Sequence, residues 1–292
     1  MTDALPGPVA AAIARVASVA DGPPLDPALR VTCSFHPDRW ATPGSDRLVI
    51  EALAAGGSYL SQFVTGTSNG GLTAFAGGDR FRWESALFGG AYDDHQTAAD
   101  PDLRPKYGAL NHRHRPAGAS PRFGSSYIRL AAHTLARTTF CYPDSVDDPS
   151  DFGVAEACGL VTLADAGGRD LLDDYVEAHV HGHIDLATDV EAVVLDPSYR
   201  GTPVEEAASA LSCPVEWHEG FVAAIDDIRA HSDFRGTEIV SLATQLAVDG
   251  VLTPRIVGDA ARTGAHHPQA IKQVWHCTAR FGTAEGRATA PE

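Results

Sequence analysis

At 292 residues and 44% hydrophobic content the chain can bury a full core, as one large domain or as a domain with an added lobe. Its net charge of −16 argues against a general nucleic-acid binder, which needs a basic face, and no apolar run approaches the roughly 20 residues that span a bilayer. The five cysteines (Cys33, Cys141, Cys158, Cys213, Cys277) are odd in number, scattered and without a CxxC pair, which fits buried reduced thiols rather than a disulfide framework or a zinc ribbon.

Taken in chain order, residues 6–20 read as a short Ala-rich helix ended by Asp21-Gly22-Pro23-Pro24. The opening has no basic n-region and Arg15 interrupts its apolar stretch, so a secretory signal is not expected. Residues 29–35 (LRVTCSF) form a predicted first strand that runs into His36-Pro37-Asp38-Arg39, where Pro37 forces a turn. Residues 45–55 read as an amphipathic helix with Ser45 as its cap and Gly56-Gly57 as its stop. A second strand is expected over 59–64. It leads into Thr65-Gly66-Thr67-Ser68-Asn69-Gly70-Gly71, a segment that either brings backbone N–H groups close to a ligand or makes a tight turn.

Residues 80–92 are aromatic-rich, and 106–110, 123–130 and 137–142 read as strands. Between the first two lies His112-Arg113-His114-Arg115, a basic island in an acidic protein. Only Lys106 and Lys272 are lysines, so nearly all positive charge is arginine, the side chain suited to bidentate phosphate contacts. Arg104, Arg113, Arg115 and Arg122 are candidates for a local patch that receives an anion; solvated loop arginines are the plainer reading of Arg113 and Arg115. Residues 152–163 are expected to be helical.

The most informative stretch is 171–199, where two β-branched runs, 175–181 and 190–195, read as a pair of strands around Gly182, Asp185 and Asp189. Alternation puts Tyr175, Glu177, His179 and His181 on one face and Val176, Ala178 and Val180 on the other. A carboxylate placed among a tyrosine and two histidines on a strand is costly to bury, which makes Glu177 the leading catalytic candidate. Glu191 is its rival, although its neighbours fit a solvated strand start. Past residue 199 the spacing turns helical over 204–211, 219–231, 237–248 and 254–263, and 283–292 reads as a frayed tail. The domain reading is an N-terminal helix (1–24), a mixed, mostly antiparallel α+β body (25–203) and a helical C-terminal lobe (204–292).

Two functional classes compete. The ordered blocks PheHisProAspArg (35–39), Thr65–Gly71 and YVEAHVHG (175–182) resemble the ADP-ribosyltransferase superfamily. There a first strand carries an Arg or His, a second a Ser/Thr-rich segment, and a later strand one glutamate. SNGGLTA (68–74), RPKYGALN (104–111), PRFGSSYIRL (121–130) and VLDPSYRGT (194–202) more narrowly resemble a bacterial CteC-like family of ubiquitin threonine ADP-ribosyltransferases. The resemblance covers about residues 29–202. It implies a split, mostly antiparallel sheet and a mono-ADP-ribosyltransferase that uses NAD as substrate, with ubiquitin as the candidate protein acceptor. Glu177, Ser68 and Arg39 would be the catalytic set, and His36, Arg39, Thr67, Ser68, Asn69, Tyr107 and Phe123 would bind NAD. The chain has Tyr175 where many transferases have Glu or Gln two residues before the catalytic glutamate, which argues against arginine as acceptor. Such an enzyme is expected in the cytoplasm of the producing cell or delivered to a host cell by a specialised secretion apparatus, its C-terminal helices helping to dock the acceptor. The competing class is a metal-dependent hydrolase built on His179, His181 and His183 with Asp185 or Asp196, near the further pair His112 and His114. Against it, Gly182 is expected to turn the chain before His183.

Overall fold

Eight strands pair into one sheet: β1 (Val31–Phe35), β2 (Lys106–Leu110), β3 (Ser126–Leu130), β4 (Thr138–Tyr142), β5 (Asp151–Val154), β6 (Val176–Val180), β7 (Val190–Leu195) and β8 (Val215–Trp217). Their order is β5-β4-β6-β2-β1-β3-β7-β8. Every pairing is antiparallel except that of β7 with β8. The sheet is therefore mixed and mostly antiparallel, with helices around it, and the chain is an α+β protein as expected. The computed structural model describes residues 4–67 and 73–288. Among them no helix is long and apolar enough to cross a membrane.

The strands expected at 29–35, 106–110, 137–142, 175–181 and 190–195 are present. β3 starts later than expected because Pro121–Phe123 makes a 3₁₀ turn first. The chain then passes so close to β1 that a Cβ on Gly124 would lie 2.2 Å from the Phe35 nitrogen. Only glycine fits that crossing. The runs at 175–181 and 190–195 do not pair with each other: β2, β1 and β3 lie between β6 and β7. The Gly182–Asp189 connection cannot act as a hairpin turn, because it carries the chain across the sheet.

β6 lies between β2 and β4, with Glu177 opposite Ala109 and Cys141 and His179 opposite Tyr107 and Thr139. The predicted alternation holds. Val176, Ala178 and Val180 join Phe140, Leu110 and Ile128 in the main core, while Glu177, His179 and His181 face the other way. That second face is covered by a smaller core with Phe88, Tyr92 and Leu103, to which the N-terminal helix Gly7–Ala17 adds Val9, Ala12 and Val16.

Residues 59–64 are not a strand. Only Ser58 bridges, to Asp185, and Gln62–Thr65 forms a short helix that Gly66 ends with φ +67°. Ser61 starts that turn, its N–H donating to Asp102 and its hydroxyl to the Pro101 carbonyl, and these side attachments replace ladder pairing. Residues 152–163 divide into β5, a turn closed by paired Val154 and Ala157 hydrogen bonds, and the helix Leu160–Gly167. The helix expected from Ser45 begins at Val49, and Glu51 accepts from the Leu48 N–H at 2.6 Å.

Beyond residue 203, β8 extends the sheet edge, and helices Ile225–Ala230, Thr237–Leu246, Pro254–Arg262 and Pro268–Phe281 enclose their own core around Phe221, Val257, Val274 and Trp275. The fourteen-residue helix Pro268–Phe281 was not foreseen, nor was β8. The expected tail contains a short helix, Ala284–Ala288, whose Glu285 pairs with Arg115 at 2.9 Å.

Candidate active site

Two cavities open side by side above the β6–β2–β1 part of the sheet. The first, of about 80 Å³, is lined by Glu177, Tyr107, Phe123, Arg80, Asp144 and Ser145 among others. The second, of about 290 Å³, contains His36, Arg39, Trp40, Leu53, Thr65 and Thr67. Tyr59 and Gln62 line both and mark where they meet.

Glu177 is held by three donors. His179 Nε2 lies 2.9 Å from Oε1, and the backbone N–H and hydroxyl of Ser145 reach Oε2 at 3.3 and 3.2 Å. Burial would raise its carboxyl, but the hydrogen bond from His179, then Arg80 and the Ser145 hydroxyl, outweigh it and leave the group below the usual glutamate value. The side chain is a preorganised anion on the cavity wall.

Arg80 comes from a helix the aromatic-rich run did not specify, Asp79–Leu87. Its guanidinium lies 4.0 Å from the Tyr107 ring centroid, and Nη1 donates to the Ser145 hydroxyl at 3.3 Å. From the same helix Glu84 takes the Tyr107 hydroxyl at 2.8 Å and Arg104 at 2.6 Å. Burial pushes the Glu84 carboxyl up despite those partners. Arg80 is the residue sequence reasoning missed; its only signal was one more arginine in RFRWES. Asp144 was also missed. It follows β4, accepts from the Val146 N–H at 2.7 Å and receives the Tyr175 hydroxyl. The departure noted at Tyr175 thus coincides with a carboxylate brought in from another loop.

Three buried polar atoms on cavity-lining residues have no hydrogen-bond partner among the described residues: Arg80 Nε, Arg122 Nε and Gln62 Oε1. Orphaned groups of this kind are uncommon in folded proteins.

In the second cavity Arg39 donates to the Val257 carbonyl at 3.3 Å and lies 3.9 Å from its turn neighbour Asp38, a loose pair. The closer partner of Asp38 is Arg262, at 3.1 Å. His36 meets Trp275 edge-on at 4.9 Å. Burial above all, then the charges of Arg39 and His276, hold its imidazole well below the ordinary value, so it is a neutral donor and acceptor. Thr67 turns its hydroxyl to Thr65 at 2.9 Å. Ser68 and Asn69 lie outside the described residues.

Other expectations dissolve into ion pairs. Arg104 is buried on Glu84; Arg113 and Arg115 share Asp174. Of the proposed anion patch Arg122 lines the Glu177 cavity and also pairs with Asp173, while Arg115 lines a separate, smaller cavity beside Glu285 and His218. Glu191 is bound by Arg30 at 2.6 Å and Arg129 at 3.3 Å, with three strands between its strand and that of Glu177. The three alternate histidines do not assemble a metal site. Gly182 turns with φ +75°, and His183 ends exposed against Asp100 at 2.9 Å. Both nitrogens of His181 are engaged by Tyr92 and Thr139. Asp185 and Asp196 cap local turns. Cys141, Glu177 and His179 do offer donor atoms within 4.8 Å of one another. In the chain by itself His179 is hydrogen-bonded to Glu177, and burial pushes the Cys141 thiol well up.

Fold and site together define an α+β protein with a buried, ionised carboxylate in a two-chambered cleft. The chain belongs to the family described as "Protein of unknown function (DUF3626)", whose model matches residues 30–166 and 158–280. A search of curated proteins finds no match.

Proposed function

We propose that the chain is an NAD-dependent mono-ADP-ribosyltransferase that breaks the bond between nicotinamide and ribose and passes ADP-ribose to a protein hydroxyl. The observation that carries the reading is Glu177: an ionised carboxylate on the wall of a small cavity that continues, past Tyr59 and Gln62, into a larger one holding His36 and Arg39. A dinucleotide has the matching anatomy, with its reacting ribose at one end and its pyrophosphate and second nucleoside at the other.

In this reading Glu177 stabilises the positive charge that builds on the ribose as neutral nicotinamide departs with the bonding electrons. Phe123 supplies the aromatic wall for nicotinamide, because the Arg80 guanidinium stacks over the Tyr107 ring. Arg39 takes the pyrophosphate and His36 a ribose hydroxyl. Asp144 accepts the proton of the acceptor hydroxyl as its oxygen bonds to the ribose carbon. The resemblance implies a threonine as that acceptor, with ubiquitin the candidate target.

The test is nicotinamide release from NAD with and without ubiquitin, by the natural chain and by Glu177→Gln, together with intact-mass spectrometry of ubiquitin. Release by the natural chain, one added ADP-ribose and loss of both in the variant are expected. Equal rates in the two proteins remove Glu177 from the chemistry.

A further inference from the structure

Behind Glu177 runs a file of buried polar side chains that a simple carboxylate site does not need. Tyr92 Oη lies 2.6 Å from His181 Nδ1; His181 Nε2 lies 2.9 Å from Thr139 Oγ1; Thr139 Oγ1 lies 3.1 Å from His179 Nδ1; and His179 Nε2 lies 2.9 Å from Glu177 Oε1. Thr139, His179 and His181 have no exposed surface, and Tyr92 is 1% exposed. Trp83, Phe88 and Tyr107 close over the two imidazoles at ring distances of 5.1 to 5.7 Å, which keeps water out.

Proton bookkeeping gives this file one direction. The Tyr92 hydroxyl has His181 as its acceptor among the described residues, so it donates to Nδ1. Burial above all, with the charges of Arg137 and Lys106, holds His181 well down and neutral, so its single proton sits on Nε2 and goes to the Thr139 oxygen. The one hydroxyl proton of Thr139 is then left for His179 Nδ1, and the His179 Nε2 proton points at Glu177. Every donor aims toward the carboxylate.

We infer that Tyr92, His181, Thr139 and His179 are positioning residues that fix the orientation of Glu177 and stabilise its charge from behind, leaving its cavity side to the substrate. This deepens the transferase reading and rests on it for the role of Glu177. Other groups around the carboxylate are Arg80, Tyr107, Cys141, Asp144, Ser145 and Tyr175. Arg80 and Ser145 also favour its charged form, so removing the file weakens Glu177 without silencing it.

The experiment compares Thr139→Val, which keeps the shape and deletes the hydroxyl, with His179→Gln, which keeps an N–H donor, and His179→Leu, which does not. Folding of each is checked by thermal melting. Expected for Thr139→Val is a kcat for nicotinamide release about ten- to a hundredfold lower, the KM for NAD little changed, and the acid limb of the pH–rate profile displaced upward. His179→Gln should recover part of what His179→Leu loses. An unshifted acid limb in folded Thr139→Val, or equal loss in the two His179 variants, overturns the inference. Nitrogen NMR of the histidines in the natural chain separates this from the activity. Nε2–H tautomers at His179 and His181 support the file even where no NAD is cleaved, an outcome that sinks the transferase reading instead. An Nδ1–H tautomer at either histidine overturns the file whatever the activity.

Discussion

The cavity over Glu177 and the cavity over Arg39 share Tyr59 and Gln62, yet the first is walled by charged and hydrogen-bonding groups and the second by Phe35, Trp40, Val49, Leu53 and Leu60. The smaller one contains two carboxylates, two arginines and three polar atoms without a partner among the described residues. The larger one offers apolar surface with a single arginine and a neutral histidine at its edge. On the proposed transferase reading one chamber stabilises changing charge, which depends on preorganised polar groups, and the other holds the ligand, which depends on contact area.

Substitutions on either side should therefore separate rate from affinity. The largest effect is expected from Glu177→Gln, which keeps the shape and removes the charge: nicotinamide release should fall by about 10²–10³, measured as kcat on saturating NAD. Asp144→Asn comes next. Transfer to a protein hydroxyl, read as labelled acceptor, should drop about a hundredfold while slow release of nicotinamide into water persists, because leaving-group departure needs no base. Arg39→Ala, in the other chamber, should raise the KM for NAD about tenfold with little change in kcat, the pattern of a group that binds substrate and transition state alike. A kcat defect as large as that of Glu177→Gln would erase the distinction between the chambers.

The smallest effect is on stability. The Glu177 carboxyl is lower in the folded chain than in the unfolded one, so its contribution is present above the usual glutamate pKa and is lost as pH falls through the lowered value. Glu84 has the opposite sign. Burial raises its carboxyl, so stability declines as pH rises from the unfolded value through the raised one. Urea melts between about pH 3 and 6 should show a flatter acid side for Glu177→Gln and a steeper one for Glu84→Gln.

The strands that carry the site were readable because their side chains alternate. Val176, Ala178 and Val180 announce one face, and Glu177, His179 and His181 stand out on the other because polar residues are costly there. Where burial and polarity stop alternating, the reading failed. In the helix Pro268–Phe281 the second half is buried all round, including His276, Thr278 and Arg280, so no apolar stripe reveals its period. The segment 59–64 has β-branched and aromatic residues but no partner strand, and the side-chain attachments of Ser61 to Asp102 and Pro101 are invisible in one dimension. Arginines posed the same problem. Sequence gives no means of telling Arg104, neutralised by Glu84, from Arg80, whose Nε has no partner among the described residues.

The Trp275 indole donates its N–H to the carbonyls of Pro121 and Arg122 while its ring abuts His36. One side chain from the last tenth of the sequence therefore sets the gauge between the backbone beside Phe123 and the start of the Arg39 turn. Shortening the protein from its C-terminal end removes that spacer along with the helix that carries it, so on the proposed reading a trimmed chain would keep Glu177 and Arg39 and lose the distance at which the two ends of NAD meet them.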